Sequence, residues 1–256
     1  NLKDRTAVIT GAGGHLAEKI SLILADAGAN LILVSRNKSF KNNYDKKLAS
    51  LYPNIKLEKI ICDLSKQKKR NFLLKKLNKK KINILINNAT FNENNLEGYA
   101  SKFENKNLKK WKSSLEVNLV AAFHLMQGLN KNLSKSGNAS IVNIASIYGV
   151  YKPNWEIYRG TKIGNSSAYA SAKGGLIQLT KWMSSTLAPK VRVNSISPGG
   201  IIRNQSKKFV NSYKNKILLR RMAKEEDFMG IIAYLVSDAS SYVTGQNIIV
   251  DGGWKA

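Results

Sequence analysis

The chain is poor in acid, in cysteine and in long apolar runs. Its 42 lysines and arginines face only 16 carboxylates, which leaves a formal net charge of +26 over 256 residues. Cys62 is the single cysteine, so no intrachain disulfide can form, and a reducing, cytoplasmic setting is expected. No apolar stretch approaches the roughly 18 residues that span a bilayer, and no membrane association is expected. The first apolar run, Ala7-Val8-Ile9, is too short for the core of a secretion signal and leads straight into glycines. No metal site is indicated.

A charge of this size favours nucleic acid or anionic surfaces by counterion release. The excess, however, is carried by lysine rather than arginine and travels with many asparagines and isoleucines, as AT-rich coding sequence produces. The densest stretch, 66–81, holds nine Lys and Arg, yet Phe72, Leu73, Leu74 and Leu77 recur in it at helical spacing. It reads as a solvated amphipathic helix with an apolar inner face, and nucleic acid is not the expected partner.

Hydrophobic residues make up 43% of the chain, enough for one large α/β domain over residues 1–256. Short β-branched runs alternate with helix-length amphipathic segments, the pattern of a doubly wound parallel sheet. Seven strands are predicted at 6–10, 30–35, 56–62, 82–87, 140–145, 191–197 and 247–250. Helices are predicted after the first glycine turn to about 27, and near 65–80, 107–133, 168–188 and 225–237.

Thr10-Gly11-Ala12-Gly13-Gly14-His15-Leu16-Ala17 joins the first strand to the first helix. A glycine turn at this point lets backbone N–H groups and a helix N-terminus meet a pyrophosphate, although a tight turn that binds nothing has the same composition. At the end of the second strand, a carboxylate would accept the ribose hydroxyls of NAD(H). Ser35 and Arg36 stand there instead, and a guanidinium suits a 2′-phosphate, so NADP(H) is expected over NAD(H). Arg36 stacked on adenine or facing solvent remains open. Asp63, followed by Leu64, stands where a carboxylate could meet the adenine amino group.

Tyr169-Ala-Ser-Ala-Lys173 sets a phenol and an ammonium four residues apart on one helix face. An ammonium beside a phenol favours the phenolate and should draw its pKa toward working pH, as acid–base chemistry at a carbonyl needs. Alone, this spacing is common in surface helices.

Taken together, residues 11–17, Asn87-Asn88-Ala89, Asn118, Ser146, Tyr169 to Lys173, Pro198-Gly199 and the C-terminal runs 240–247 and 250–253 resemble the short-chain dehydrogenases/reductases in order and spacing. The resemblance implies a Rossmann-type doubly wound parallel sheet of seven strands flanked by helices, and a homodimer or homotetramer. It further implies Tyr169 as acid/base, Ser146 on the substrate oxygen, Lys173 on the nicotinamide ribose and Asn118 holding a water. Gly11, Gly13, Gly14, His15, Leu16, Ser35, Arg36, Asp63, Leu64, Asn88, Ala89, Pro198, Gly199 and Ile201 would line the cofactor, together with Tyr169 and Lys173.

The chain departs from the family pattern in three respects. His15 and Ala17 stand where its Gly-x-x-x-Gly-x-Gly run has glycine, and Gly14 stands in as a compensating glycine. His15 would then lie against the pyrophosphate or face solvent. Thr90 replaces the glycine after Asn-Asn-Ala, and Arg203 replaces the threonine four residues after Gly199. Ser146 and Tyr169 are also twenty-three positions apart, wider than usual, because of an aromatic and cationic insertion at 151–162. With Ser146-Ile-Tyr-Gly149, Arg159-Gly-Thr161 and the segment 197–205, which include or adjoin Tyr148, Trp155, Tyr158, Arg159, Arg203 and Gln205, it resembles bacterial oxidoreductases of flagellin modification and nonulosonate or surface-glycan sugar synthesis. Those six residues are expected to rim a pocket for a phosphorylated or nucleotide-linked sugar, unless the loop serves an oligomer contact. A sugar epimerase or dehydratase that recycles its cofactor, and a non-catalytic dinucleotide- or nucleic-acid-binding protein, are the competing readings.

Overall fold

The computed structural model describes residues 1–40, 43–91, 102–161 and 163–256. Lys162, the last residue of the insertion, lies outside the described residues. In chain order the elements are β1 (Thr6–Thr10), α1 (His15–Asp26), β2 (Asn30–Ser35), α2 (Tyr44–Leu51), β3 (Leu57–Ile61), α3 (Gln67–Leu77) and β4 (Ile84–Asn87). There follow α4 (Leu108–Leu115), α5 (Ala121–Ser136), β5 (Ala139–Ile144), α6 (Ser167–Leu187), β6 (Val191–Pro198), α7 (Lys207–Lys214), α8 (Met229–Val236) and β7 (Asn247–Val250).

The strands form one parallel sheet in the order β3-β2-β1-β4-β5-β6-β7. Alternate residues of each strand serve opposite faces. Ala7, Ile9, Leu31, Leu33, Ile84 and Ile86 meet α1, α2 and α8 on one side. Val8, Ile32, Val34, Leu85, Ile141 and Val193 meet α3, α5 and α6 on the other. Since β2 and β4 flank β1, the winding reverses between β1 and β4, and a crevice opens beyond the C-terminal ends of those strands. A third apolar cluster, outside the sheet, joins Ile157 of the insertion to Phe209 and Tyr213 of α7 and to Trp254.

The first, second and last strands run as expected, and the other four shift at their ends by one or two residues. The fourth begins at Ile84 because Asn83 turns its own side chain into the ladder, Oδ1 accepting from Thr6 N at 3.1 Å. Helices α2 and α7 were not expected, being short and rich in polar residues. The predicted helix at 107–133 is interrupted by a π-helical turn, Glu116–Val120. Its cause is local. The amide of Asn118 donates to Ser114 O at 2.9 Å, the acceptor that a regular α-helix would give to the Asn118 N–H.

Polar groups inside the sheet layers find polar partners, the Oδ1 of Asn87 excepted. Asn87 Nδ2 donates to Asn143 Oδ1 at 2.8 Å, and Asn143 Nδ2 to Thr180 Oγ1 at 2.9 Å, all three side chains being buried. Arg70 of the basic helix α3 turns inward. It pairs with Glu116 at 2.7 Å and donates to His124 Nδ1 at 3.0 Å, linking α3 to the π turn and to α5. Arg70 is buried while Glu116 is about one-third exposed, so removing Arg70 chiefly strands the enclosed acceptors it serves, Leu64 O and His124 Nδ1. Arg70→Met should therefore lower unfolding free energy by about 3 kcal/mol in urea titration, and a loss below about 1 kcal/mol would show the pair to be dispensable.

Candidate active site

A cavity of about 1110 Å³ opens at the C-terminal ends of β1 and β4. Its floor is the turn after β1. Gly11 has φ +65°, and a Cβ there would come within 2.7 Å of Ala89 Cα, so only glycine allows this approach of the two strand ends. Gly13, Gly14, His15 and Leu16 continue the wall into the N-terminus of α1. Asn88 braces the floor, its side chain donating to Thr10 O at 2.9 Å. A turn this close to a helix N-terminus leaves room for phosphate oxygens against backbone N–H groups, so these residues fit a dinucleotide.

At one end of the cavity lie Ser35 and Arg36. Ser35 is buried and its Oγ accepts from Asn37 N at 3.2 Å, whereas Arg36 is exposed along the rim. Asp63 closes this end, its Oδ1 accepting from Ser65 N and Oγ at 3.0 and 2.8 Å. Among the described residues lining the cavity, Asp63 and Glu225 are the carboxylates, and neither follows β2.

The other end carries Ser146, Tyr169 and Lys173. Ser146 caps a 3₁₀ turn at the end of β5, with Oγ accepting from Tyr148 N at 3.2 Å and hydrogen-bonded to the Tyr169 phenol. The turn sits tightly on α6, since a Cβ on Gly149 would meet Lys173 C at 2.7 Å. Lys173 is 2% exposed, and its ammonium donates to Ile144 O at 2.6 Å, 5.5 Å from the centre of the Tyr169 ring. Burial pushes the Tyr169 phenol up, with the Ser146 hydroxyl acting against it. The downward shift expected from Lys173 is not found, and loss of water around the phenol dominates. Burial also pulls Lys173 down, from an ordinary 10.5 to about 7. The wall therefore joins a hydroxyl, a phenol and an amine that holds its proton loosely, a set able to move one proton to or from an oxygen placed between Ser146 and Tyr169.

Asn118 does not face this cavity. Its Oδ1 accepts from Thr90 Oγ1 at 2.8 Å and from Phe91 N at 3.4 Å, and its amide is taken up by Ser114. The side chain holds the π turn against the end of β4 and borders a separate, water-sized void. Thr90, an unexpected residue by family pattern, thus has a hydrogen bond to make.

The cofactor-lining residues expected from sequence all lie on this one cavity, Leu64, Ala89, Pro198, Gly199 and Ile201 included. The six expected rim residues divide. Tyr148 and Arg203 line it, with Arg203 paired to Glu225 at 2.9 Å. Trp155, Tyr158, Arg159 and Gln205 do not. Trp155 and Arg159 face outward on the insertion, Tyr158 packs behind Tyr148, and Gln205 is spent on its own loop, bonding Ile201 O and Arg203 N. The insertion folds onto α7 rather than across the mouth. Glu225 and Phe91, which also line the cavity, carry no motif that sequence could have flagged. Among the described residues no helix is long and apolar enough to cross a membrane, and no group of His, Cys, Asp and Glu could hold a metal.

Comparison with known proteins agrees with this geometry. A family profile described as Enoyl-(Acyl carrier protein) reductase matches residues 11–255. The chain is 34% identical to Post-translational flagellin modification protein A of Campylobacter coli over 142 residues, which cover 55% of this chain and 56% of that protein. It is 29% identical to the 3-oxoacyl-[acyl-carrier-protein] reductase FabG of Thermotoga maritima over 98% of both chains. Among solved structures, a short chain dehydrogenase from Leptospira borgpetersenii with bound NAD+ superposes with TM-score 0.86 at 30% identity, covering 100% of this chain and 94% of that one. A putative NAD(P) dependent gluconate 5-dehydrogenase from Beutenbergia cavernae with bound NADP does so at TM-score 0.84 and 29% identity, over 99% and 98%. The chain belongs to the short-chain dehydrogenases/reductases and is an NAD(P)-dependent oxidoreductase of that family.

The burial of Lys173 has a measurable consequence. The unfolded chain takes up its lysine proton below 10.5 and the folded chain only below about 7, so folded stability gained from the neutral amine is present at high pH and is lost as pH falls through this window. On going from roughly pH 7 to pH 10, wild type should gain thermal stability relative to Lys173→Met. A difference in melting temperature that is the same at both pH values would show that Lys173 is not held in this way.

Proposed function

We propose that this enzyme interconverts an alcohol and a carbonyl on a phosphorylated or nucleotide-linked sugar, with NADP(H) preferred to NAD(H), and that it works in the cytoplasm as a homodimer or homotetramer. The observation that carries the reaction type is the grouping of Ser146, Tyr169 and Lys173 on one wall of the cavity whose floor is the glycine turn. In the reducing direction Ser146 holds the carbonyl oxygen, and the Tyr169 phenol gives that oxygen its proton. Lys173, beside the phenol and close to its own titration point, supports the charge that remains. Gly11, Gly13, Gly14 and the N-terminus of α1 would hold the dinucleotide phosphates, with Asp63 toward the adenine. When bound, the dinucleotide supplies or accepts the hydride at the substrate carbon. Asn118 serves as an anchor of the π turn.

The preference for NADP(H) rests on Ser35 and Arg36 and on the absence of a carboxylate directly after β2. The sugar reading rests on Arg203, Tyr148 and Asn204 at the mouth and on the likeness to a flagellin modification protein. Arg203 is exposed at the mouth and paired to Glu225, and its remaining guanidinium N–H donors suit a phosphate oxygen, which an apolar substrate does not offer. Assembly is suggested by Leu108, Val120 and Phe123 on α4, the π turn and α5, and by Trp182 on α6, which leave apolar surface exposed on the long helices.

Three measurements test this reading. Fluorescence titration should give tighter binding of NADPH than of NADH, and Ser35→Asp should reverse the order; wild type preferring NADH would sink the cofactor assignment. Phosphohexoses and nucleotide sugars should be turned over while cyclohexanone is not, with Tyr169→Phe lowering kcat by at least about 100-fold. Equal turnover of the neutral ketone would refute the anionic substrate. Light scattering should return two or four times the 28.4 kDa of one chain, and a monomer would count against assembly.

A further inference from the structure

None of the described residues of the insertion, 151–161, lines the cavity, yet the segment is densely aromatic. Its rings do not scatter. Trp155 packs on Tyr158 (6.0 Å between ring centres), Tyr158 on Phe209 (5.6 Å), Phe209 on Tyr213 (5.8 Å) and Tyr213 on Trp254 (4.6 Å, stacked). The row starts in solvent at Trp155 and ends inside, with Phe209, Tyr213 and Trp254 all buried. Trp254 Nε1 is buried without a hydrogen-bond partner, so that ring is held by stacking alone.

Two rungs of this row reach the cavity through their hydroxyls. Tyr158 Oη hydrogen-bonds Tyr148 Oη, and Asn165 hydrogen-bonds both phenols. Tyr213 Oη accepts from Gly200 N at 2.6 Å. Tyr148 and Gly200 are both cavity-lining residues. The approach of Tyr213 is so close that a Cβ on Gly200 would lie 2.7 Å from its Cζ, which accounts for the second glycine of Pro198-Gly199-Gly200. Burial raises the pKa of all three phenols, that of Tyr213 to about 12, so the hydroxyls stay protonated at neutral pH and the bonds persist.

We propose that the ring row is a spacer that sets the width of the substrate end of the cavity, Tyr158 holding Tyr148 on one wall and Tyr213 holding Gly200 on the other. Close-packed rings have few rotatable bonds and resist compression, so two walls attached to one row keep a fixed separation. Tyr158 and Tyr213 are then positioning residues for substrate selection, acting through Tyr148 and Gly200. The inference rests on assigning the Tyr148–Gly200 end to the substrate, as above. It does not depend on the substrate being a sugar.

Tyr158→Phe and Tyr213→Phe each keep a ring and release one wall, and Phe209→Leu removes the middle rung without touching either wall residue. The probes are ethyl acetoacetate and the three-ring 9,10-phenanthrenequinone, reduced with NADPH. NADPH affinity should stay within about twofold in every variant, while kcat/KM for the quinone relative to the ester rises about fivefold through KM. Hydrogen exchange, which needs no turnover, should quicken by about tenfold at 146–150 in Tyr158→Phe and at 199–202 in Tyr213→Phe, and at both segments in Phe209→Leu. Selectivity and exchange unchanged from wild type would overturn the proposal. So would an equal loss with both ketones, or exchange that quickens at the wall opposite to the one released. Should wild type reduce neither of these neutral ketones, as a preference for an anionic substrate allows, the exchange pattern alone decides the spacer, and the reading of the reaction is left to the phosphohexoses and nucleotide sugars.

Discussion

Much of this molecule hangs on one buried hydroxyl. Thr10 Oγ1, at the end of β1, donates to Ile86 O at 3.2 Å and accepts from Asn88 N and Ala89 N, each at 3.0 Å. It pins together the ends of β1 and β4, where the winding of the sheet reverses and where strand ends would otherwise splay. The approach of Gly11 to Ala89 depends on that pin, and the cavity floor depends on the approach. That one hydroxyl satisfies one carbonyl and two amides at the strand ends.

The second theme is charge taken out of water. Lys173 and Tyr169 are enclosed, and their ionisation is governed more by missing solvent than by each other. Arg70 shows the structural version of the same physics, a cation from the most basic helix enclosed between Glu116, His124 and a backbone carbonyl. Most of the lysines are solvated, as the helical spacing of 66–81 suggested. The large net charge is thus mainly a property of the surface.

The strand segments, the glycine floor and the cavity wall around Tyr169 were legible because each depends on short-range pattern. Apolar runs of strand length, a glycine turn opening a helix, and a four-residue spacing all survive in the linear text. What was not legible depended on tertiary direction. Nothing in Trp155, Tyr158 and Arg159 says that the insertion folds back on α7, since aromatic and cationic residues suit a pocket rim and a satellite core alike. The π turn was hidden because Asn118 is compatible with a helix and only its bond to Ser114 reveals the distortion. Glu225 lies far along the chain from Arg203, and an ion pair at that separation leaves no periodic trace.

The buried Asn87–Asn143 pair concerns a different question, namely how strands know where to stop sliding. Strands buried on both faces read as near-uniform apolar text, and a shifted alignment of β4 on β5 would bury almost as much surface. Asn87 and Asn143 are directly opposite each other in the native alignment. Any displacement would separate two amides and set each against hydrocarbon, a penalty that apolar neighbours cannot impose. The pair therefore acts as an alignment mark, spending polar groups in the interior so that one arrangement of the sheet is distinguishable from its near copies.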